Sequence, residues 1–175
     1  MKFFEIVWKN LQREVVILEK ISLDEKDLIL LEKLQRECRR SLKEVAKEVG
    51  MPMSTVHEKI KRFEKTGVIK SYRAILDEKK VGFGVTAFIM ASTEYINGER
   101  TFQRNIGERV SSLPYVLETH TLSGDWDLII KVKFKNVHEL GKFVNERIRT
   151  LPGISKTVTM VSIDEIKEDT VLKLR

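Results

Sequence analysis

The 175-residue sequence predicts an α+β fold in which a helical N-terminal part precedes a part built of strands and helices. Between Ser22 and Gly67 three apolar segments have helical spacing, and helix-capping residues introduce the first two. From Gly82 onward the order changes to strand, helix, strand, and this order occurs twice. A chain of this length and pattern corresponds to two small domains.

The composition is that of a globular protein, with 42% hydrophobic and 33% charged residues. Its one cysteine, Cys38, has no partner in the chain, which favours a reducing compartment, and we expect a cytoplasmic location. The longest apolar run, Ala87 to Ala91, is far shorter than the roughly 18–20 residues of a membrane helix, so we expect no membrane association. The abundance of Lys and Glu is typical of thermophile proteins.

Positive charge is concentrated in the first half of the chain. The net charge of +6 divides into +5 for residues 1–80, with 19 Lys and Arg against 14 Asp and Glu, and +1 for residues 81–175, with 13 against 12. A basic segment joined to a nearly neutral one is typical of a polyanion-binding module attached to a second domain.

Residues 1–22 predict an accessory amphipathic helix. Apolar side chains recur there in a 4-3-4-3 spacing that places them on one side of a helix: Phe4, Trp8, Leu11, Val15 and Leu18. Charged residues interrupt the segment, so it is not a secretion signal. Two heptads are compatible both with packing on the adjoining domain and with pairing between subunits.

The basic half of the chain then predicts three helices. The first begins at Ser22 or at Asp24 and presents leucines on one face, namely Leu28, Leu31 and Leu34. The second follows the capping box of Ser41 and Glu44 and stops at Gly50. The third buries one apolar stripe, formed by Val56, Ile60 and Phe63.

A turn of three residues, Gly50 to Pro52, separates the last two helices, which is the spacing of a helix-turn-helix. Val68 to Leu76 then alternates as a strand in the position of a wing. We therefore assign residues 23–70 to a winged helix-turn-helix and residues 71–82 to a linker strand and hinge.

The C-terminal part predicts a ferredoxin-like βαββαβ sandwich over residues 83–175. Its predicted strands and helices are Val85–Thr93, Glu99–Ser112, Val116–Leu122, Trp126–Phe134, Val137–Thr150 and Ile154–Ile163. An internal repeat supports this order, since Leu-Pro dipeptides begin at Leu113 and at Leu151, 38 residues apart, each between a helix and a strand. The strands are too apolar for an exposed sheet face, so we expect two sheets to pair in a homodimer.

The outward side of the third helix carries the strongest functional signal. When the apolar stripe points inward, the opposite side is polar and mostly basic. The N-terminal part of such a helix meets base edges, which assigns base reading to Ser54, Thr55, His57 and Glu58. Phosphate contacts are assigned to Lys61, Arg62 and Lys65. The alternative is a solvated helix face stabilised by ion pairs within the helix.

The start of the third helix is unusual, because Pro52 and Met53 stand where a Ser or Thr cap is expected. Either Pro52 lies in the first turn or Ser54 caps a later start. The choice moves the base-reading residues by about one position.

The sequence contains no recognisable catalytic or metal-binding arrangement. The three histidines, His57, His120 and His138, lie in different predicted elements, without cysteine or histidine at metal-ligand spacing. The Gly-Phe-Gly segment from Gly82 to Gly84 precedes a strand and does not open a helix, so it is no dinucleotide motif. We therefore expect no enzyme activity, no metal and no cofactor.

Three segments resemble the Lrp/AsnC (feast/famine) family of transcriptional regulators: GMPMSTVHEKIKRFEKTGVI, LSGDWDL followed by IIKV, and LPGISKTVTMVSIDEIK. The resemblance spans roughly Leu23 to Leu174, and it departs from the family at Pro52 and Met53, where Ser-Pro is usual. It implies a winged helix-turn-helix joined to a ferredoxin-like effector domain of the RAM type. It also implies dimers that often assemble into octamers, and small effectors, commonly amino acids, bound between subunits.

The resemblance further implies where the effector binds. One turn matches the family's Gly-x-x-Asp effector turn, and one strand matches the strand that faces a ligand from another subunit. The matching residues are Ser123, Gly124, Asp125, Trp126 and Asp127 in the turn, and Thr157 and Thr159 in the strand. Backbone N–H groups and hydroxyls can hold a carboxylate, and aspartates can hold an ammonium group. The alternatives are a plain hairpin turn at Gly124 and ordinary strand propensity for the two threonines.

We therefore expect a regulator that binds double-stranded DNA as a dimer or a higher assembly of dimers and responds to an amino acid. Two recognition helices would enter major grooves roughly 34 Å apart, or a multiple of that distance. An amino-acid-binding sensory protein without specific DNA binding is the main alternative, and the salt dependence of DNA binding separates the two. An enzyme built on the second domain is a remote alternative.

Overall fold

A computed structural model describes residues 21–96, 99–100 and 103–175. The chain forms two compact units, one extending to Arg73 and including Asp169–Arg175, the other comprising Ala74–Glu168. The predicted C-terminal domain, residues 83–175, thus contains seven residues that belong with the helical unit. The predicted accessory helix lies outside the described residues apart from its last two positions, which are not helical. Nothing in the described ranges has both the length and the apolar character of a membrane-spanning helix.

The helical unit contains α1 (Glu25–Arg36), α2 (Leu42–Val49) and α3 (Met53–Lys65). Asp24 caps α1, because its side chain accepts the backbone N–H of Asp27 at 2.7 Å. In return, the side chain of Asp27 accepts the backbone N–H of Asp24 at 3.1 Å. This reciprocal pair selects Asp24 over Ser22 as the start. The predicted capping box of Ser41 and Glu44 on α2 is confirmed, as is the left-handed stop that follows that helix.

Apolar side chains from the three helices and from the turn before α3 form the core of this unit: Leu30, Leu31, Leu34, Val45, Ala46, Val49, Met51, Val56 and Phe63. Val56 and Phe63 are fully buried, and Ile60 is half-buried and packs on the same core. The predicted inward stripe of the third helix is therefore confirmed. It fixes which side of α3 faces away from the core.

The predicted wing strand from Val68 to Leu76 is wrong. These residues form no strand, and within the described ranges both sheets consist of other segments. Ile75 and Leu76 are 83% and 61% exposed. Alternating apolar residues specify a strand only where a neighbouring strand supplies hydrogen-bond partners, and this segment has none among the described strands.

The second unit contains β1 (Val85–Thr93), β2 (Tyr95–Ile96), β3 (Glu99–Arg100), α4 (Gln103–Ser111), β4 (Val116–Thr121), β5 (Leu128–Phe134), α5 (Val137–Phe143) and β6 (Ile154–Val161). The four long strands form an antiparallel sheet in the order β4-β5-β1-β6. With α4 and α5 this is the predicted ferredoxin-like βαββαβ arrangement.

One face of this sheet is covered by the two helices. On the other, which we call the open face, Lys133 is 5% exposed and contacts Glu168, while the apolar part is partly exposed. In β1, Ala87, Ile89 and Ala91 are fully buried and belong to one core with residues of both helices, such as Ile106 and Leu140. The residues that alternate with them point to the opposite face. Apolar side chains of that face include Phe88, Met90, Ile129, Val158 and Met160, of which the last two are 40% and 47% exposed.

Two predicted helices of this unit differ from the observed ones. The helix predicted over Glu99–Ser112 begins at Gln103, because β3 pairs with β2 as a short hairpin. Residues 101–102 lie outside the described ranges. The helix predicted over Val137–Thr150 changes to a π-helix over Val144–Ile148. Val144 and Ile148, the two ends of this π-helix, are buried in the core.

Candidate functional site

α3 presents a polar side that contains the predicted DNA-binding residues. The exposed members are Ser54, His57, Glu58, Lys61 and Lys65, and Thr55 is half-buried. This side lies opposite the buried stripe, as a period of about 3.6 residues requires. Lys61 and Lys65 form no ion pair with any residue that the structure describes. Both ammonium groups are therefore available to an anion.

The start of α3 lies at Met53, with Pro52 in the N-cap position. No side chain caps this helix, and the carbonyl of Pro52 accepts the N–H of Val56 at 3.1 Å. The alternative in which Ser54 is the cap is therefore wrong. Ser54 stands in the first turn with its side chain exposed, and Met53 beside it is 56% exposed.

Asp27 of α1 is bonded to the flank of α3. Its carboxylate, 2% exposed, lies 2.5 Å from Lys59 Nζ and 2.7 Å from Arg62 Nη2. Burial alone would raise the pKa of Asp27, but hydrogen bonds from Lys59, from the Asp24 backbone and from Arg62 outweigh it and lower the pKa below its usual value. Asp27 is thus a buried carboxylate that stays charged because two cations compensate it.

Arg62 has partners within the helical unit, and 46% of its side chain is exposed. Its guanidinium, predicted to meet phosphates, is engaged by Asp27 and lies 5.3 Å from the centre of the Phe63 ring. Asp27 and Lys59 are missing from the predicted site. The signal was present, because Asp24 and Asp27, like Lys59 and Arg62, are three residues apart and share a helix face. Which two faces meet depends on the tertiary packing.

The predicted effector turn joins β4 to β5. The N–H of Leu122 donates to the carbonyl of Asp127 at 2.8 Å, which closes the turn. Gly124 has a φ of +128°, and a Cβ placed there would meet nothing within 4 Å. Glycine is therefore required for its backbone conformation and not for lack of space. Ser123 and Gly124 are exposed, and Trp126 is half-buried.

The two aspartates of this turn have different surroundings. The carboxylate of Asp127 accepts the backbone N–H of Thr93 at 2.7 Å, the Thr93 hydroxyl at 3.0 Å and the side-chain amide of Gln103. It therefore connects the turn to β1 and α4. Asp125 is exposed and makes no hydrogen bond or ion pair with the part of the chain that the structure describes. Asp125 is thus the carboxylate that is free to bind an ammonium group.

The predicted threonines lie on the edge strand β6, at the same end of the sheet as the turn. Ala91 pairs with Thr157, and the carbonyl of Ala91 accepts the N–H of Asp127 at 3.1 Å. The Thr157 hydroxyl accepts Arg149 Nε at 3.0 Å, and Thr159 is half-buried two residues further along. A second contact joins β6 to the turn, because Lys156 Nζ lies 5.2 Å from the centre of the Trp126 ring.

A group of three carboxylates in the second unit is the arrangement closest to a metal site among the described residues. Oxygen atoms of Glu78, Glu165 and Glu168 lie within 4.8 Å of one another. Lys133 Nζ forms ion pairs with all three, at 2.7 Å from Glu168, at 3.6 Å from Glu165 and in contact with Glu78. The Lys133 ammonium group therefore takes the place that a metal ion would occupy at these carboxylates.

Comparison with known proteins decides the family. The model of the AsnC-type helix-turn-helix domain matches residues 23–64, and the model of the Lrp/AsnC ligand binding domain matches residues 86–172. An HTH-type transcriptional regulator of Pyrococcus furiosus is 37% identical over 84% of this chain and 97% of its own length. The chain belongs to the Lrp/AsnC family of transcriptional regulators. This Lrp/AsnC protein is accordingly a transcriptional regulator of the helix-turn-helix type, and the alternative of a sensor without DNA binding is not favoured.

Other relatives of this Lrp/AsnC regulator agree. The HTH-type transcriptional regulator FL11 of Pyrococcus horikoshii is 31% identical over 89% of this chain and 99% of its own length. A Neisseria meningitidis regulator solved as a complex with L-Met superposes with a TM-score of 0.80, at 26% identity, over 87% of this chain and 97% of its own. Escherichia coli AsnC, at 23% identity, shares the fold with a TM-score of 0.76 over 86% and 98% of the two chains.

Proposed function

We propose that α3 enters the major groove of double-stranded DNA with its exposed polar side against the bases and backbone. This proposal is supported by the polar side of α3, which lies opposite a buried stripe and holds two lysines without an ion-pair partner among the described residues. Base edges are read by the first two turns, through Ser54, Thr55, His57 and Glu58. Lys61 and Lys65 lie further along and bind phosphates.

The four base-reading side chains differ in what they can recognise. Ser54 and Thr55 carry hydroxyls that both donate and accept, and His57 offers one donor and one acceptor when neutral. Glu58 only accepts, which suits the amino group of cytosine. The regulator acts in the cytoplasm by binding alone, catalyses no reaction and requires no metal or cofactor.

Two copies of the chain pair through the open face of the sheet in this proposal. The paired apolar side chains Phe88 with Met160 and Met90 with Val158 give that face a continuous apolar strip. A twofold pair presents two α3 helices to grooves about 34 Å apart, and dimers can assemble further.

The effector in this proposal is an amino acid bound at the turn and the edge strand. The L-Met complex of the Neisseria regulator supports this class of ligand. Asp125 holds the ammonium group, while backbone N–H groups near Gly124 and the hydroxyls of Thr157 and Thr159, supplied by another subunit, hold the carboxylate. Regulation follows if the amino acid prefers one assembly or one arrangement of the DNA-binding units.

Salt-titrated DNA binding tests this function. A duplex selected by the parent protein from a random library is compared with mixed-sequence DNA. Lys61→Ala and Lys65→Ala should each weaken binding to both duplexes and reduce the slope of log affinity against log salt by about 1. His57→Ala and Ser54→Ala should change the selected sequence instead. A parent protein that selects no sequence, or variants that all bind like the parent, would refute the assignment.

A further inference from the structure

The buried carboxylate of Asp27 joins α1 to α3 through two cations. Each carboxylate oxygen has its own partner, with Lys59 Nζ at 2.5 Å from Oδ1 and Arg62 Nη2 at 2.7 Å from Oδ2. The Lys59 ammonium group also reaches Asp24, 3.0 Å away, and only 17% of its side chain is exposed. We call Asp27, Lys59 and Arg62 the Asp27 clamp.

The clamp lies on one flank of the DNA-reading side of α3. At about 100° per residue, Lys59 and Arg62 are separated by about 60° around the helix, between the buried stripe and the exposed polar side. Lys61 lies about 100° from Arg62 around the helix, within the polar side. A helix packed only through an apolar stripe can rotate or slide slightly, because apolar contacts are not directional. Bonds from two side chains to one fixed carboxylate restrict both movements.

The Arg62 side chain is 46% exposed, but burial of its partner Asp27 makes these bonds hard to exchange for contacts with DNA. A carboxylate at 2% exposure has no access to bulk solvent, so releasing either cation leaves its charge insufficiently compensated. Moving Arg62 to a phosphate therefore opposes the stability of the helical unit. Lys61, one residue earlier in the chain, forms no ion pair with any described residue.

We propose that Asp27 is a positioning residue that fixes the angle of α3 on the helical unit, and that Lys59 and Arg62 serve this clamp and do not bind DNA phosphates. The proposal rests on the proposed DNA interface, since the angle of α3 matters only if α3 reads the bases. Base reading depends on the alignment of hydrogen bonds, whereas attraction to phosphates tolerates misalignment. Loss of the clamp should therefore reduce specific binding much more than non-specific binding.

The test compares Arg62→Ala with its neighbour Lys61→Ala in the full chain. Affinity for the selected duplex and for mixed-sequence DNA is measured by fluorescence anisotropy at several salt concentrations. Arg62→Ala should weaken binding to the selected duplex about tenfold, change mixed-sequence binding less than twofold and leave the salt slope unchanged. Lys61→Ala should weaken both and reduce the slope by about 1. A slope reduced by about 1 in Arg62→Ala would overturn the proposal, because it identifies Arg62 as a phosphate ligand.

A second variant covers the case in which Arg62→Ala unfolds the helical unit, which circular dichroism at the assay temperature reveals. Asp27→Asn combined with Arg62→Gln replaces the charged contact by a neutral hydrogen bond, while Lys59 keeps Asp24 as a partner. This double variant should restore most of the specific binding with an unchanged slope. If it folds but its slope is reduced by about 1, the clamp assignment is wrong. If Lys61→Ala binds both duplexes with the affinity and salt slope of the parent, the proposed DNA interface is wrong, and this result does not count against the clamp.

Discussion

Gln35 on α1 and Leu172 near the C-terminus exchange two hydrogen bonds. The N–H of Leu172 donates to Gln35 Oε1 at 2.8 Å, and Gln35 Nε2 donates to the Leu172 carbonyl at 3.2 Å. Glu32, one turn earlier, accepts the N–H of Leu174 at 3.0 Å and the guanidinium of Arg175 at 2.8 Å. The last residues of the chain are therefore fixed along α1, within the helical unit.

This docking predicts that the C-terminal segment stabilises the helical unit. Leu174 is half-buried against the core, so Leu174→Ala should lower the free energy of unfolding by about 1 kcal/mol, as expected for the loss of partly buried apolar surface. Lys173→Ala, which removes an exposed side chain at the adjacent position, is the matched control. Urea denaturation followed by circular dichroism measures both variants. Equal stability of the two would show that the Leu174 side chain contributes nothing.

The stability of the sheet unit should depend on pH through Glu168. Hydrogen bonds from Lys131 and Lys133 lower the pKa of Glu168 from 4.5 to about 2. Because the pKa is lower in the folded state, the stabilisation is complete above about pH 4.5 and is lost as the pH falls through 2. Since the side chain is 33% exposed, solvent screening limits the contribution to about 1–2 kcal/mol.

Glu168→Gln tests this dependence. The variant should be less stable than the parent at pH 7 and closer to it at pH 2–3, because the parent has by then lost most of the same contribution. Glu146→Gln removes an exposed carboxylate on the π-helix and serves as the control for the loss of one negative charge. Thermal unfolding at both pH values gives the comparison. A constant difference between Glu168→Gln and the parent at both values would contradict the assignment.

Substitutions of the two aspartates of the effector turn should have different effects, one on stability and the other on the response to ligand. Asp127→Ala leaves the N–H and hydroxyl of Thr93 without their acceptor and should lower the free energy of unfolding by roughly 1–3 kcal/mol. Asp125→Ala should change it by less than about 0.5 kcal/mol, because Asp125 is exposed.

The parent and the Asp127→Ala and Asp125→Ala variants are then screened with the twenty amino acids by thermal shift and light scattering. Asp125→Ala should lose the thermal shift that the parent shows with its effector. A full response in this variant would place the ammonium group elsewhere. Gly124 is a poorer probe, because any side chain at a φ of +128° strains the backbone regardless of ligand.

Local signals account for the parts of the structure that the sequence predicts well. The capping box of Ser41 and Glu44 is determined by residues three positions apart, and the succession of strands and helices along the chain follows from apolar alternation and turns. The wing failed because a strand needs a partner that its own residues do not specify. The contacts of Arg62 and Asp127 were missed for the same reason, since their partners Asp27 and Thr93 are more than 30 residues away in the chain.

We expect Met160→Asp to prevent the proposed pairing of two subunits through the open sheet face. Met160 is 47% exposed on β6 and lies opposite Phe88 of β1, so a carboxylate there would be buried without a partner when two sheets pack. Ile163→Asp is the control, because Ile163 is fully exposed beyond the end of the strand. Sedimentation velocity should give a smaller species for Met160→Asp and the parent's species for Ile163→Asp. If Met160→Asp keeps the parent's sedimentation, the proposed pairing through this face is wrong.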